Sequence, residues 1–194
     1  KVKLKSPAII VIGHVVSLRD ELSWFDKKPL FGKRIVITRA RAQASGLVSR
    51  LSKLGAQCIE IPTIQIVPPE ETAPLINSIE NIKDYDWLIF TSVNGVKFFF
   101  DALFDMGHDV RILGHLKFAC IGPVTKERLK TYCIISDILP ASYRAESVID
   151  AFSTVKIKGK KILLPRAKQA RTVLPKELTK MGAIVDDIAA YETR

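Results

Sequence analysis

From Arg34 onward, short β-branched runs alternate with segments whose apolar residues recur at helical spacing. Such alternation confines the chain to the α/β class, built on parallel sheets. "RIVIT" reads as a strand and "AQASGLVSRLSKLG" as a helix, with Leu47, Leu51 and Leu54 on one face and Gly55 as its stop. "QCIEIP" is a second strand, so a right-handed βαβ crossover is expected. "VPPEETAP" interrupts the pattern, and a helix follows over roughly 72–82. "DWLIFTS", "LKFACIG", "CIISDIL", "KKILLP" and "IVDDIAAY" are further strands. The helices between them are "VNGVKFFFDALFDM", "PVTKERLKTY", "AESVIDAF" and "QARTVLPKELTKMG", the last with Pro175 expected in its first turn. Before this series, "AIIVIG" reads as a buried strand and "VVSLRDELSWF" as a helix. "DKKPLFGK" is a linker, so the opening residues, 1–28, look like the end of a different unit.

One sentence is written twice. "IVITRARAQASGLVSRLSKLGAQCIEIP" matches "ILLPRAKQARTVLPKELTKMGAIVDDIA" without gaps, at an offset of 127 residues. Arg39 aligns with Arg166, Leu51 with Leu178 and Gly55 with Gly182. Any two βαβ units share leucines and a glycine. The common "RA" after the strand and the ungapped "L.K.GA" favour a duplicated half-domain.

The formal charge is +10, which favours an anionic partner. The basic residues are scattered and no aromatic-rich basic motif stands out, which argues against nucleic acid. Cys58, Cys120 and Cys133 are odd in number with no C-x-x-C, which fits a reducing cytoplasm rather than disulfides or zinc. His14, His108 and His115 show no ligand spacing. "PAIIVIGHVV" is too short to span a membrane and lacks the marks of a signal peptide.

Ligands of parallel α/β sheets bind at the carboxyl ends of strands, beside helix N-termini. Four loops fall there. "TRARAQAS" carries Thr38, Arg39 and Arg41, and "FTSVNG" carries Thr91, Ser92 and Asn94. "IGPVT" carries Gly122 and Thr125, and "PRAKQAR" carries Arg166 and Arg171. Guanidinium groups pair with carboxylates in two parallel hydrogen bonds, which suits a ligand bearing several of them. Each residue has a plainer reading: helix caps for Thr91 and Ser92, a turn at Gly122, solvated charges at Arg39 and Arg166. There is no P-loop, G-x-G-x-x-G or G-x-S-x-G, and Asp186 and Asp187 read as strand-edge charges. An enzyme built this way holds and shapes its substrate.

In order and spacing, "IVITRARAQASGLVSRLSKLGAQCIEIPTIQI", "WLIFTSVNGVKFFF", "ACIGPVTKERL", "RAESVIDAF" and "KILLPRAKQARTVLPKELTKMGAIVDDIAAYET" together resemble the uroporphyrinogen-III synthases. The likeness runs from about residue 33 to the end. "SPAIIVIGHVVSLRDELSWF" is similar to the tail of a uroporphyrinogen-III C-methyltransferase, with His14 where a Glu often stands, so a fused bifunctional protein is implied.

The resemblance implies a cytoplasmic lyase that cyclises hydroxymethylbilane with inversion of its last ring, without cofactor, metal, nucleic acid or membrane. It implies two flavodoxin-like domains, the first discontinuous. Residues 33–65 would open the first and 67–190 form the second, with 191–194 starting the return linker. The first domain would then be incomplete here, turnover impaired, and a second copy recruited by strand pairing or domain swapping. Tyr191, in "AYETR", matches the family's "Y-x-T" tyrosine. A phenol, pKa about 10, can donate a proton to a departing hydroxyl. Thr125, Ser92 and the backbone near Asn94 and Gly122 match the substrate-contacting loops, with Thr38, Thr91, Arg39 and Arg166 as further holders. The rival reading is a non-catalytic binding domain of the same architecture.

Overall fold

A computed structural model describes residues 5–39, 41–140 and 145–194. The chain divides into two compact units, Lys1–Gln65 and Ile66–Arg194.

The first unit holds a short 3₁₀ turn, His14–Leu18, running into helix α1, Arg19–Leu22. The expected strand "AIIVIG" does not form. Ile9 and Ile12 are 91% and 88% exposed, and among the described residues no strand pairs with this segment. The expected longer helix shrinks to these two pieces. Next come β1 (Arg34–Ile37), α2 (Arg41–Lys53) and β2 (Gln57–Glu60), with β1 and β2 parallel.

The second unit contains β3 (Ile66–Val67), α3 (Ala73–Glu80), β4 (Trp87–Phe90), α4 (Val93–Asp105), β5 (Lys117–Cys120) and α5 (Pro123–Lys130). It continues with α6 (Ala145–Ser153), β6 (Lys161–Ala167), α7 (Val173–Lys180) and β7 (Ile184–Thr193). The sheet order is β3-β7-β6-β4-β5, parallel except for β3, which pairs antiparallel with the end of β7. α3, α4 and α5 cover one face through Leu75, Ile79, Phe99, Phe100, Leu103 and Leu129. α6 and α7 cover the other through Val148, Phe152, Leu174 and Leu178. "CIISDIL" makes only a single bridge, Ala119 to Ile138. The Asp137 carboxylate accepts from the Phe118 N–H at 2.7 Å, so a side chain takes a donor that a longer strand would have used.

The repeated sentence is also a repeated structure. Arg34 pairs with Gln57 and Ile37 with Glu60; 127 residues later, Lys161 pairs with Ile184 and Leu164 with Asp187. The helix stops correspond as well. Gly55 and Gly182 have φ of 96° and 88°, a left-handed conformation that suits glycine. Ala56 N–H donates to Leu51 O and Ala183 N–H to Leu178 O, each at 3.1 Å. Pro175 is the third residue of α7, in its first turn.

Candidate functional site

β4, β6 and β7 run parallel, so their carboxyl ends lie together. Beyond β4, Ser92 takes an extended conformation and caps α4, its Oγ accepting from the Gly95 N–H at 3.0 Å. α4 starts unusually close to β6. A Cβ on Gly95 would lie 2.8 Å from the Pro165 carbonyl oxygen. Pro165 also explains why the β4–β6 ladder ends at Leu88–Leu163: proline has no N–H to continue it.

Tyr191 reaches this place through a register shift. β6 and β7 pair Arg166 with Ala189 but Ala167 with Tyr191, so Ala190 is extra. Simple alternation would put residue 191 on the face opposite Ala190. The bulge instead puts both residues among the apolar side chains under α4. Tyr191 is 8% exposed, and its Oη lies 3.0 Å from Ser92 Oγ. Its ring stacks on Phe98, with centroids 5.7 Å apart and planes 21° apart. Its carbonyl accepts from the Lys168 N–H at 2.9 Å. The adjacent Glu192 carboxyl is held below its usual range by a hydrogen bond from Arg194, helped by the charges of Arg194 and Lys168.

The other sequence-read residues fall in three places. Thr91, Asn94, Gly122 and Thr125 follow β4 and β5 at the same carboxyl end, with Thr125 buried one turn into α5. Gly122 is extended, with φ −141°, so its backbone does not demand glycine. Thr38 and Arg39 are exposed after β1 in the first unit, and Arg41 has its side chain outside the described residues.

Arg166 departs from its reading as a carboxylate holder. It is 5% exposed, donates through Nε and Nη2 to Asp187, and donates through Nη1 to the Arg171 carbonyl. Its guanidinium braces β6 to β7 and to the loop before α7, with little surface left for a ligand. Asp187 is accordingly that brace's acceptor rather than a free edge charge. Asp186 accepts from the Tyr85 hydroxyl at 2.6 Å, and burial first, then Asp186, pushes the Tyr85 phenol up. Burial likewise pushes the Cys120 thiol up to about 11, which keeps it from acting as a nucleophile near neutral pH.

A cavity of about 650 Å³ lies beyond Phe98, lined in part by Pro68, Asp101, Asp105, Met106 and Ala190. Of its charged lining, Lys97 is paired with Asp101 and Asp105 leaves the balance negative, so a polycarboxylate is better served by the strand-end loops. Sequence reasoning missed Phe98. It stands first in "FFF", where Phe99 and Phe100 are fully buried, and it reads as one more core residue. Among the described residues, no helix is long and apolar enough to cross a membrane.

Comparison with known proteins agrees with this architecture. The family described as uroporphyrinogen-III synthase HemD matches residues 45–194. Porphyrin biosynthesis protein HemD of Ruminiclostridium josui is 35% identical over 193 residues, covering 100% of this chain and 38% of that protein. Uroporphyrinogen-III synthase of Synechococcus elongatus is 34% identical over 177 residues, covering 87% of this chain and 63% of that one. The chain thus spans less than two thirds of these relatives' length. A crystal structure of a mutant uroporphyrinogen III synthase from the extremely thermophilic bacterium Thermus thermophilus superposes with a TM-score of 0.64 at 16% identity, covering 84% of this chain and 63% of that one. At that identity the likeness is one of fold.

Proposed function

Since the chain belongs to the uroporphyrinogen-III synthase family, we propose that it cyclises hydroxymethylbilane to uroporphyrinogen III, with Tyr191 as the proton donor. The observation that carries this reading is the meeting of Tyr191 Oη and Ser92 Oγ, 3.0 Å apart at the carboxyl end of the sheet though 99 residues apart in sequence.

The phenol gives its proton to the substrate's terminal hydroxyl. The C–O bond breaks with its electron pair on oxygen, water leaves, and a pyrrole nitrogen lone pair feeds the carbon to form an azafulvene cation. Attack through the substituted carbon of the last ring forms a spiro intermediate. That intermediate breaks and recloses at the ring's free carbon, and the proton lost there returns to the phenolate. The net change is bilane to macrocycle plus water, with no redox partner. Most of the acceleration then comes from holding one conformation. Thr91, Asn94, Gly122 and Thr125 offer hydroxyls and N–H groups to the carboxylates. The charge of +10 draws the polyanion in, and nucleic acid is not the intended partner.

The opening segment is read as the tail of a C-methyltransferase domain. Its uncovered Ile9, Ile10 and Ile12, 91%, 75% and 88% exposed, suit a strand that packs elsewhere. The free cysteines suit a cytoplasmic site of action. The edges of the β1–β2 sheet suit pairing with a further strand, from the same protein or a second copy.

The test is an isomer assay. Hydroxymethylbilane is generated in situ, the chain is added, and uroporphyrins I and III are resolved after oxidation. Isomer III should predominate, and Tyr191→Phe should lower its rate about a hundredfold. Isomer I alone from this chain, or an unimpaired Tyr191→Phe, would reject the respective part of the reading.

A further inference from the structure

A proton donor serves only when its hydroxyl points one way, and a phenol on a strand end is free to swing unless something grips its ring. Two contacts grip Tyr191. Phe98 lies against the ring face, with centroids 5.7 Å apart and planes 21° apart, an offset stack. Ser92 Oγ meets the hydroxyl at 3.0 Å. The two come from one helix: Ser92 caps α4 and Phe98 sits within it.

Phe98 packs at the margin of the core cluster under α4 rather than inside it. Phe99 and Phe100 are fully buried beside it and fill the space under α4, whereas Phe98 is only half-buried. Its ring faces Tyr191 and the rim of the neighbouring cavity.

Its hydrogen-bond inventory lets Ser92 serve Tyr191 in either direction. A serine hydroxyl has one hydrogen and two lone pairs. The Gly95 N–H, at the positive end of α4, occupies one lone pair at 3.0 Å. That polarises the hydroxyl, making it a better donor and a poorer acceptor. The second lone pair stays open, so either hydroxyl can donate across the 3.0 Å contact. In the arrangement where Ser92 donates to Tyr191 Oη, the phenol's own hydrogen is available to a ligand. Once that proton has gone, the same Ser92 O–H is aimed at the phenolate.

We propose that Phe98 is a positioning residue which, with the Ser92 hydroxyl, clamps Tyr191 in the orientation needed for proton donation. The inference rests on the reading of Tyr191 as the donor.

Two measurements on the same set of variants test it. In the first, the protein carries ¹³C-labelled tyrosine rings, and the Tyr191 signals are assigned by their loss in Tyr191→Phe. The ring should turn slowly in the parent, faster in Phe98→Leu, and slowly again in Phe98→Tyr, which restores a stacking ring. Unchanged Tyr191 ring dynamics in Phe98→Leu would overturn the clamp, whatever the activity. In the second, isomer III formation is followed against bilane concentration. Phe98→Leu and Ser92→Ala should each lower kcat about tenfold with KM within about twofold, and Phe98→Tyr and Ser92→Thr should recover most of it. An unchanged kcat in Phe98→Leu would also overturn the proposal, as would a fall matched by a lowered melting temperature and not recovered in Phe98→Tyr. An unimpaired Tyr191→Phe, with the ring dynamics responding as described, would instead reject the donor reading and leave the clamp standing as a structural feature.

Discussion

Gly95 has no room for a methyl group. A Cβ there would sit 2.8 Å from the Pro165 carbonyl oxygen, a backbone atom that cannot swing aside. Alanine is the better helix former by about 1 kcal/mol, but overpacking against fixed backbone costs about 1–3 kcal/mol. Gly95→Ala should therefore lower stability by about 1 kcal/mol, read as a reduced denaturation midpoint at unchanged slope. Any displacement of the helix start also carries Ser92 away from Tyr191, so loss of isomer III formation should exceed what the stability change explains. At this scale the sequence was partly legible. "FTS" before a helical segment announces a cap, and Ser92 is one. Phe98 was hidden because a ring at core spacing looks the same whether it fills space or holds another ring. Arg166 was misleading because an arginine in a strand-end loop resembles a ligand holder until its partner is known, and Asp187 lies 21 residues away.

Between elements, Asp86 ties together the starts of three strands. Its carboxylate accepts from Lys160 Nζ at 2.7 Å and from the Lys161 N–H at 2.9 Å. Its own N–H donates to the Lys161 carbonyl, and its carbonyl accepts from the Lys117 N–H. The Lys160 hydrogen bond, then the Lys161 N–H and the charges of Lys160 and His115, hold the Asp86 carboxyl below its usual range. A carboxyl lowered by folding stabilises the native state above its unfolded pKa, about 4, and that contribution disappears as pH falls through the lower folded value. Asp86→Asn should thus lose stability near neutral pH and show a flatter acid limb than the parent, with the two curves converging once pH falls below the lowered folded value. Denaturation midpoints across pH would check this, and parallel curves would reject the role. The elements themselves were largely readable, since alternation of periods marks strand and helix. The bulge opposite Ala167 was not, because a single unpaired residue leaves the pattern of "IVDDIAAY" unchanged while reversing which face Tyr191 occupies.

Across the whole chain, the buried apolar side chains are shared unequally. Among the described residues, Ile37, Ala44 and Ala56 are those buried in the first unit, whereas both large apolar clusters lie in the second. Burial of apolar area dominates stability, so the units should differ sharply in resistance to unfolding. Limited proteolysis should cut within residues 1–65 first and leave a fragment close to Ile66–Arg194, whose own melting transition matches the main one of the intact chain. Equal resistance of the two units would contradict this. The sequence by itself determined the α/β class, the order of most elements, the paired βαβ units and the strand-end loops. Those follow from local periodicity, from glycine at left-handed positions and from an ungapped repeat, all carried by neighbouring residues. Tertiary structure alone decided that β3 pairs antiparallel with β7, that Arg166 faces Asp187, and that Tyr191 meets Ser92 and Phe98. Those depend on register and on which helix covers which face of the sheet, and contacts between residues far apart in sequence leave no periodic trace in it.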